Sequence, residues 1–147
     1  MARMRQILKL FFLLFGLHVL CAAQENSQKK IYIVTAADKV FYREILQLVG
    51  SIHKVNFNQL GGIAVFDLGL SDEQKRHLRK IQKLTVCSVE KTHPDIIKPF
   101  KKDNGTHWVP GWYAWKPVVI KQALDKWPYI LYIDAGAIVL KPLDYLF

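Results

Sequence analysis

Three groups of residues in this chain have types and neighbours suited to chemistry. The first is Asp134, which follows the apolar run Tyr129-Ile-Leu-Tyr-Ile133. A carboxylate at the end of such a run must find a cation, a hydrogen-bond donor or solvent, because an unpaired charge in apolar surroundings is costly. Gly136, two residues on, either leaves room for a ligand or supplies an unusual backbone angle. The second group is Gly111-Trp-Tyr-Ala-Trp-Lys116-Pro117. If Pro117 is the first helical residue, Lys116 stands at the cap and adds a full positive charge to an electropositive helix end, a place suited to phosphate. A solvated lysine beside a structural aromatic cluster is the competing reading. Trp112, Tyr113 and Trp115 either stack on a flat ring or cover the core. The third is Thr35-Ala36-Ala37-Asp38, where small residues let a ligand approach the backbone and Asp38 accepts hydrogen bonds, either from a ligand or as a helix N-cap.

These groups gain meaning from the elements that carry them. Ile31–Thr35, Ile63–Leu68, Leu84–Val89 and Tyr129–Ile133 read as short apolar β-rich strands. Between the first two, Phe41, Ile45, Leu48, Val49 and Ile52 recur at helical spacing, predicting an amphipathic helix over about Asp38 to His53. A Gly61-Gly62 break precedes the second strand. Ser71 with Gln74 forms a capping box that opens a second helix; Asp72 and Glu73 occupy its first turn, and Lys75, Arg76, Arg79, Lys80 and Lys83 follow. Charges in that order complement a helix dipole on a solvated face and need no ligand. The stretch from Glu90 to Gly111, with Pro94, Pro99, Asn104-Gly105 and Pro110, reads as one long loop. A third helix begins at Pro117 and buries Ile120, Ala123, Leu124 and Trp127.

Strands alternating with helices predict an α/β fold with an open, mostly parallel, doubly wound sheet, as the N-terminal part of a larger domain. In such sheets ligands bind beyond the carboxyl ends of the strands, and all three polar groups fall there.

The succession Trp115-Lys116-Pro117, then Tyr132-Ile-Asp134-Ala-Gly136-Ala-Ile-Val-Leu140, then Pro142-Leu-Asp-Tyr-Leu-Phe147 resembles the lysine helix, the Asp-x-Asp strand end and the following segment of glycogenin-like family 8 glycosyltransferases of the GT-A type. Val34-Thr-Ala-Ala-Asp38 with Phe41-Tyr42 is similar to that family's nucleotide-binding first loop. The resemblance runs from about Ile31 to Phe147. A Tyr-Ala-Trp-Lys-Pro stretch is also shared with an uncharacterised group of secretory proteins.

The resemblance implies retaining, hexosyltransferase-like transfer of a sugar from a nucleotide-diphosphate donor, a UDP-sugar by analogy, to an acceptor the sequence does not name. By position it makes Thr35, Ala36, Asp38 and Tyr42 the base and ribose neighbourhood, Lys116 a diphosphate or sugar contact, and Asp134 a ligand to Mn2+ or Mg2+. Gly136 stands where the second Asp of Asp-x-Asp belongs and removes one hard oxygen ligand. Three readings therefore stay open: a working transferase, a noncatalytic GT-A-like binding protein, and a purely structural domain.

Composition bounds the rest. The 147 residues, 51% hydrophobic and 22% charged, suit one globular domain. Residues 1–23 combine Arg3 and Arg5, an apolar run from Leu10 to Leu20 and Cys21-Ala22-Ala23, the order of a secretory signal peptide; an uncleaved anchor is the rival reading, and only that reading gives contact with a membrane. Residues 24–30 form a polar leader and 31–147 the folded part. The expected location is the Golgi lumen or the exterior. Cleavage removes Arg3, Arg5 and Lys9 and takes the formal charge from +9 to +6. The remaining basicity favours an anionic partner, but it is not gathered into a block with interleaved aromatics, so no nucleic-acid partner is expected. Cys87 is left without an intrachain disulfide partner.

Overall fold

The computed structural model describes residues 30–90, 92–101 and 108–146. The signal or anchor segment, most of the polar leader, Asn104-Gly105 and Phe147 lie outside the described residues. In chain order the elements are β1 (Ile31–Ala37), α1 (Tyr42–Asn56), β2 (Leu60–Asp67), α2 (Asp72–Leu78), β3 (Leu84–Ser88), β4 (Pro99–Lys101), β5 (Trp108–Pro110), a 3-10 turn (Gly111–Tyr113), α3 (Trp115–Leu124), β6 (Leu131–Tyr132) and a last 3-10 turn (Asp144–Leu146).

Four strands form one sheet in the order β3-β2-β1-β6, and every pairing in it is parallel. The period-two alternation of β1 and β2 sends their side chains to two separate cores. Ile31, Ile33, Ile63 and Val65 pack with Ile45, Leu48, Val49 and Ile52 of α1 and Leu78 of α2. Val34, Ala36, Ala64 and Phe66 pack with Trp115, Val119 and Ala123 of α3. Helices thus cover both faces, which makes the fold α/β and doubly wound. The chain changes faces after β3, so β1 lies between β2 and β6 and the connections diverge on either side of it. Among the described residues no helix is long and apolar enough to cross a membrane.

Several local expectations need correction. Gly61 and Gly62 do not break the chain before β2; they lie inside it. Aromatic rings explain them, since a Cβ on Gly61 would meet the Tyr32 ring at 2.5 Å and one on Gly62 the Trp127 ring at 3.2 Å. Helix α1 starts four residues later than Asp38, because the Asp38 carboxylate caps a turn and accepts from the amides of Val40 and Phe41 at 2.8 and 3.1 Å. Helix α2 does carry the Ser71–Gln74 capping box, with both bonds formed, yet it ends at Leu78, and Lys83 lies beyond it.

The region from Glu90 to Gly111 is not a plain loop. It contains an antiparallel pair, β4 with β5, in the register Phe100 opposite Val109. The third helix begins at Trp115, with Pro117 as its third residue and Ala114 at the cap, so Lys116 is helical and is not the cap. Its buried positions are Trp115, Val119 and Ala123, whereas Leu124 is exposed.

Candidate functional site

A crevice of about 630 Å³ opens beyond the carboxyl ends of β1 and β6, at the point where the chain's connections diverge. Ala36 and Ala37 line it from β1, Asp38 from the turn that follows, and Lys116 from the first turn of α3. Asp134, Ala135 and Gly136 line it from the segment after β6. Residues nearly a hundred positions apart meet here because β6 pairs with β1.

Lys116 and Asp134 form the polar centre. The Lys116 ammonium donates to both carboxylate oxygens of Asp134, at 2.8 and 3.1 Å, and the Tyr132 hydroxyl donates to Oδ1 at 2.8 Å. The Lys116 hydrogen bond, with help from Tyr132, holds the Asp134 carboxyl below its ordinary range against a smaller opposing effect of burial. The Tyr132 phenol is pushed up, first by burial and then by its bond to the Asp134 anion. The Lys116 ammonium also stands 5.5 to 5.8 Å from the ring centroids of Tyr113, Trp115 and Tyr132. Since both side chains of the ion pair remain partly exposed, the pair contributes to stability no more than about 1 kcal/mol. Its consequence is positional: a cation is held at the cavity wall.

Of the residues singled out in the sequence, Ala36, Asp38, Lys116, Asp134 and Gly136 line this one cavity. Thr35 does not; it is fully buried, on the β1 face shared with Ile33 and Ala37, and its Oγ1 has no hydrogen-bond partner among the described residues. Tyr42 also lies off the cavity lining, at the start of α1, where its hydroxyl is hydrogen-bonded to Nδ1 of His77. Gly136 has a definite role in space. It is not among the left-handed glycines, and a Cβ there would meet nothing within 4 Å, so open space is what it provides.

The aromatic cluster divides. Trp115 is 4% exposed and donates from Nε1 to the Pro110 carbonyl, a core role. Trp112 and Tyr113 are 48% and 46% exposed, and Tyr113 lines the cavity. Gly111, Trp112 and Tyr113 are consecutive left-handed residues, with φ of +51°, +51° and +66°. For a residue with a Cβ that conformation costs roughly 1–2 kcal/mol. Val40, Phe41, Leu68, Val109 and Pro110, together with Trp115, complete the lining. Leu68 was within reach of the strand-end rule, but Val109 and Pro110 arrive through the β4–β5 pair, which has no alternating pattern to announce it.

Both Asp134 oxygens face an ammonium, Oδ1 of Asp38 is engaged by backbone amides, and among the described residues no three His, Cys, Asp or Glu side chains converge. What the site offers is one fixed cation, the carboxylates of Asp38 and Asp134 and a largely apolar wall. Searches against protein-family models, curated proteins and solved structures find no match to this chain.

Proposed function

We propose that this crevice binds a nucleotide-diphosphate sugar and that the protein is a GT-A-like, hexosyltransferase-like glycosyltransferase of a secretory compartment. The observation that carries the reading is the meeting of Ala36-Ala37-Asp38, Lys116 and Asp134-Ala135-Gly136 around one cavity at the divergence of β1 and β6. Those are the segments on which the likeness to family 8 transferases rests.

In this reading the donor's diphosphate lies against Lys116, and the small residues at the end of β1 admit the nucleoside. Transfer breaks the bond between the anomeric carbon and the β-phosphate oxygen and forms one to an acceptor oxygen, whose proton is released. Negative charge grows on the departing phosphate, where the ammonium already stands, and charge stabilisation placed in advance needs little rearrangement. Asp134 orients Lys116 and offers a second group to a donor hydroxyl. Calorimetric titration of the chain with UDP-glucose, UDP-galactose and UDP-N-acetylglucosamine, with and without Mn2+, tests the proposal; it fails if no donor binds.

A second reading has its own support in Gly136 and in the occupied Asp134 carboxylate: the protein binds the donor without transferring its sugar. Gly136→Asp separates the two, and open space around the position makes it a clean substitution. Metal affinity and donor hydrolysis that appear only in the variant favour the binder.

A further inference from the structure

Of the left-handed turn Gly111-Trp112-Tyr113 only Tyr113 lines the cavity, while the Trp112 ring stands 6.2 Å from that of Phe100. A Cβ on Gly111 would lie 1.8 Å from the Ile96 carbonyl oxygen, so glycine is required there. Trp112 and Tyr113 take the same backbone conformation, in which glycine would be unstrained, yet about half of each residue faces solvent. Strain of this kind persists where the surrounding structure holds a side chain in place for a purpose. For Tyr113 the cavity supplies that purpose. Its ring lines the crevice with its centroid 5.6 Å from the Lys116 ammonium.

We infer that Tyr113 is a stacking platform for the apolar face of the donor's transferred sugar ring. The inference rests on the nucleotide-sugar reading above and adds to it the residue that distinguishes a sugar-bearing donor from the bare nucleotide. A phosphate on Lys116 brings to Tyr113 the ring joined directly to it, whereas the base is held one ribose farther away. A pyranose presents a flat face of C–H bonds that suits an aromatic surface better than a puckered ribose does.

The test is calorimetry of wild type, Tyr113→Ala and Tyr113→Phe with UDP and with the tightest-binding of the three UDP-sugars. Tyr113→Ala is expected to weaken UDP-sugar binding about 3- to 10-fold and to leave UDP unchanged, with Tyr113→Phe close to wild type. Unchanged UDP-sugar affinity overturns the platform while leaving the donor reading intact. An equal loss for UDP and UDP-sugar also overturns it, by placing the nucleoside on the ring. Absence of any binding by wild type removes the donor reading and the platform together. Tyr113→Gly supplies a control through the backbone: it is expected to melt at or above the wild-type temperature while losing the same selectivity. A lowered melting temperature would assign the ring to packing and overturn the inference.

Discussion

The Lys116–Asp134 pair sets the electrostatics of the crevice. Lys116→Met is expected to weaken binding of a diphosphate about 10- to 100-fold, the range for one hydrogen bond to a charged group. Stability should change by less than about 1 kcal/mol, because both partners are partly exposed. In the same variant the Asp134 carboxyl should titrate at higher pH than in wild type, since its main stabiliser is gone; a carbon-13 titration of the side chain measures this. His53 makes a separate residue-scale prediction. Burial, reinforced by Lys83, pushes its imidazole below the ordinary value, and its Nε2 is buried without a partner among the described residues. The unfolded chain therefore binds the proton more readily, so the contribution of His53 is complete above about pH 6.5 and is lost as pH falls through the lower folded value. Melting temperatures across that interval should fall more steeply for wild type than for His53→Gln; parallel curves would contradict the assignment. Asp134 and Lys116 were each legible in the sequence from a carboxylate after an apolar run and a lysine beside Pro117. Their bond was not, because it depends on where α3 lies against β6.

Helix α2 was readable because its start is written locally: Ser71 and Gln74 satisfy each other's backbone partners, a geometry fixed within four residues. Ser71→Ala should cost about 1 kcal/mol in denaturant unfolding. Helix α3 was misplaced by two residues for the opposite reason. Pro117 is compatible with the whole first turn of a helix, since amides there lack intrahelical partners, and the true start is set by the turn before it. That turn depends on Gly111, whose amide donates to the Lys98 carbonyl at 2.8 Å and which closes the β4–β5 pair against Ile96. Gly111→Ala combines a left-handed Cβ with a clash against backbone, so a loss of more than about 2 kcal/mol is expected in the same assay. The strands β4 and β5 escaped notice because three residues each, with a proline at one end, are too short to show an alternation.

At the scale of the whole molecule the crevice exists because the far end of the described chain returns to its beginning. The doubly wound class was legible from alternating strands and helices, whereas the strand order β3-β2-β1-β6 was not; periodicity says which residues are buried but not which strand lies next to which. After β6 the chain is tied to α1 on the other side of the sheet from α3. The Val139 amide donates to Oγ of Ser51 at 3.0 Å, and the Leu143 amide donates to Oδ1 of Asn56, a fully buried side chain, at 2.8 Å. Ala135, Ala137, Val139 and Leu143 pack on the α1 core. These ties hold the segment that begins with Asp134 and Gly136, so the anchorage of the cavity wall reaches back to α1. Asn56→Ala removes the acceptor of the Leu143 amide, which should cost about 1–3 kcal/mol. Because the tie is local to this segment, amide exchange should quicken at Val139 and Leu143 more than in β1 and β2. The same variant should weaken ligand binding in the crevice although Asn56 does not line it. Uniform acceleration of exchange across the sheet would show that Asn56 supports global stability alone, with no particular hold on the site.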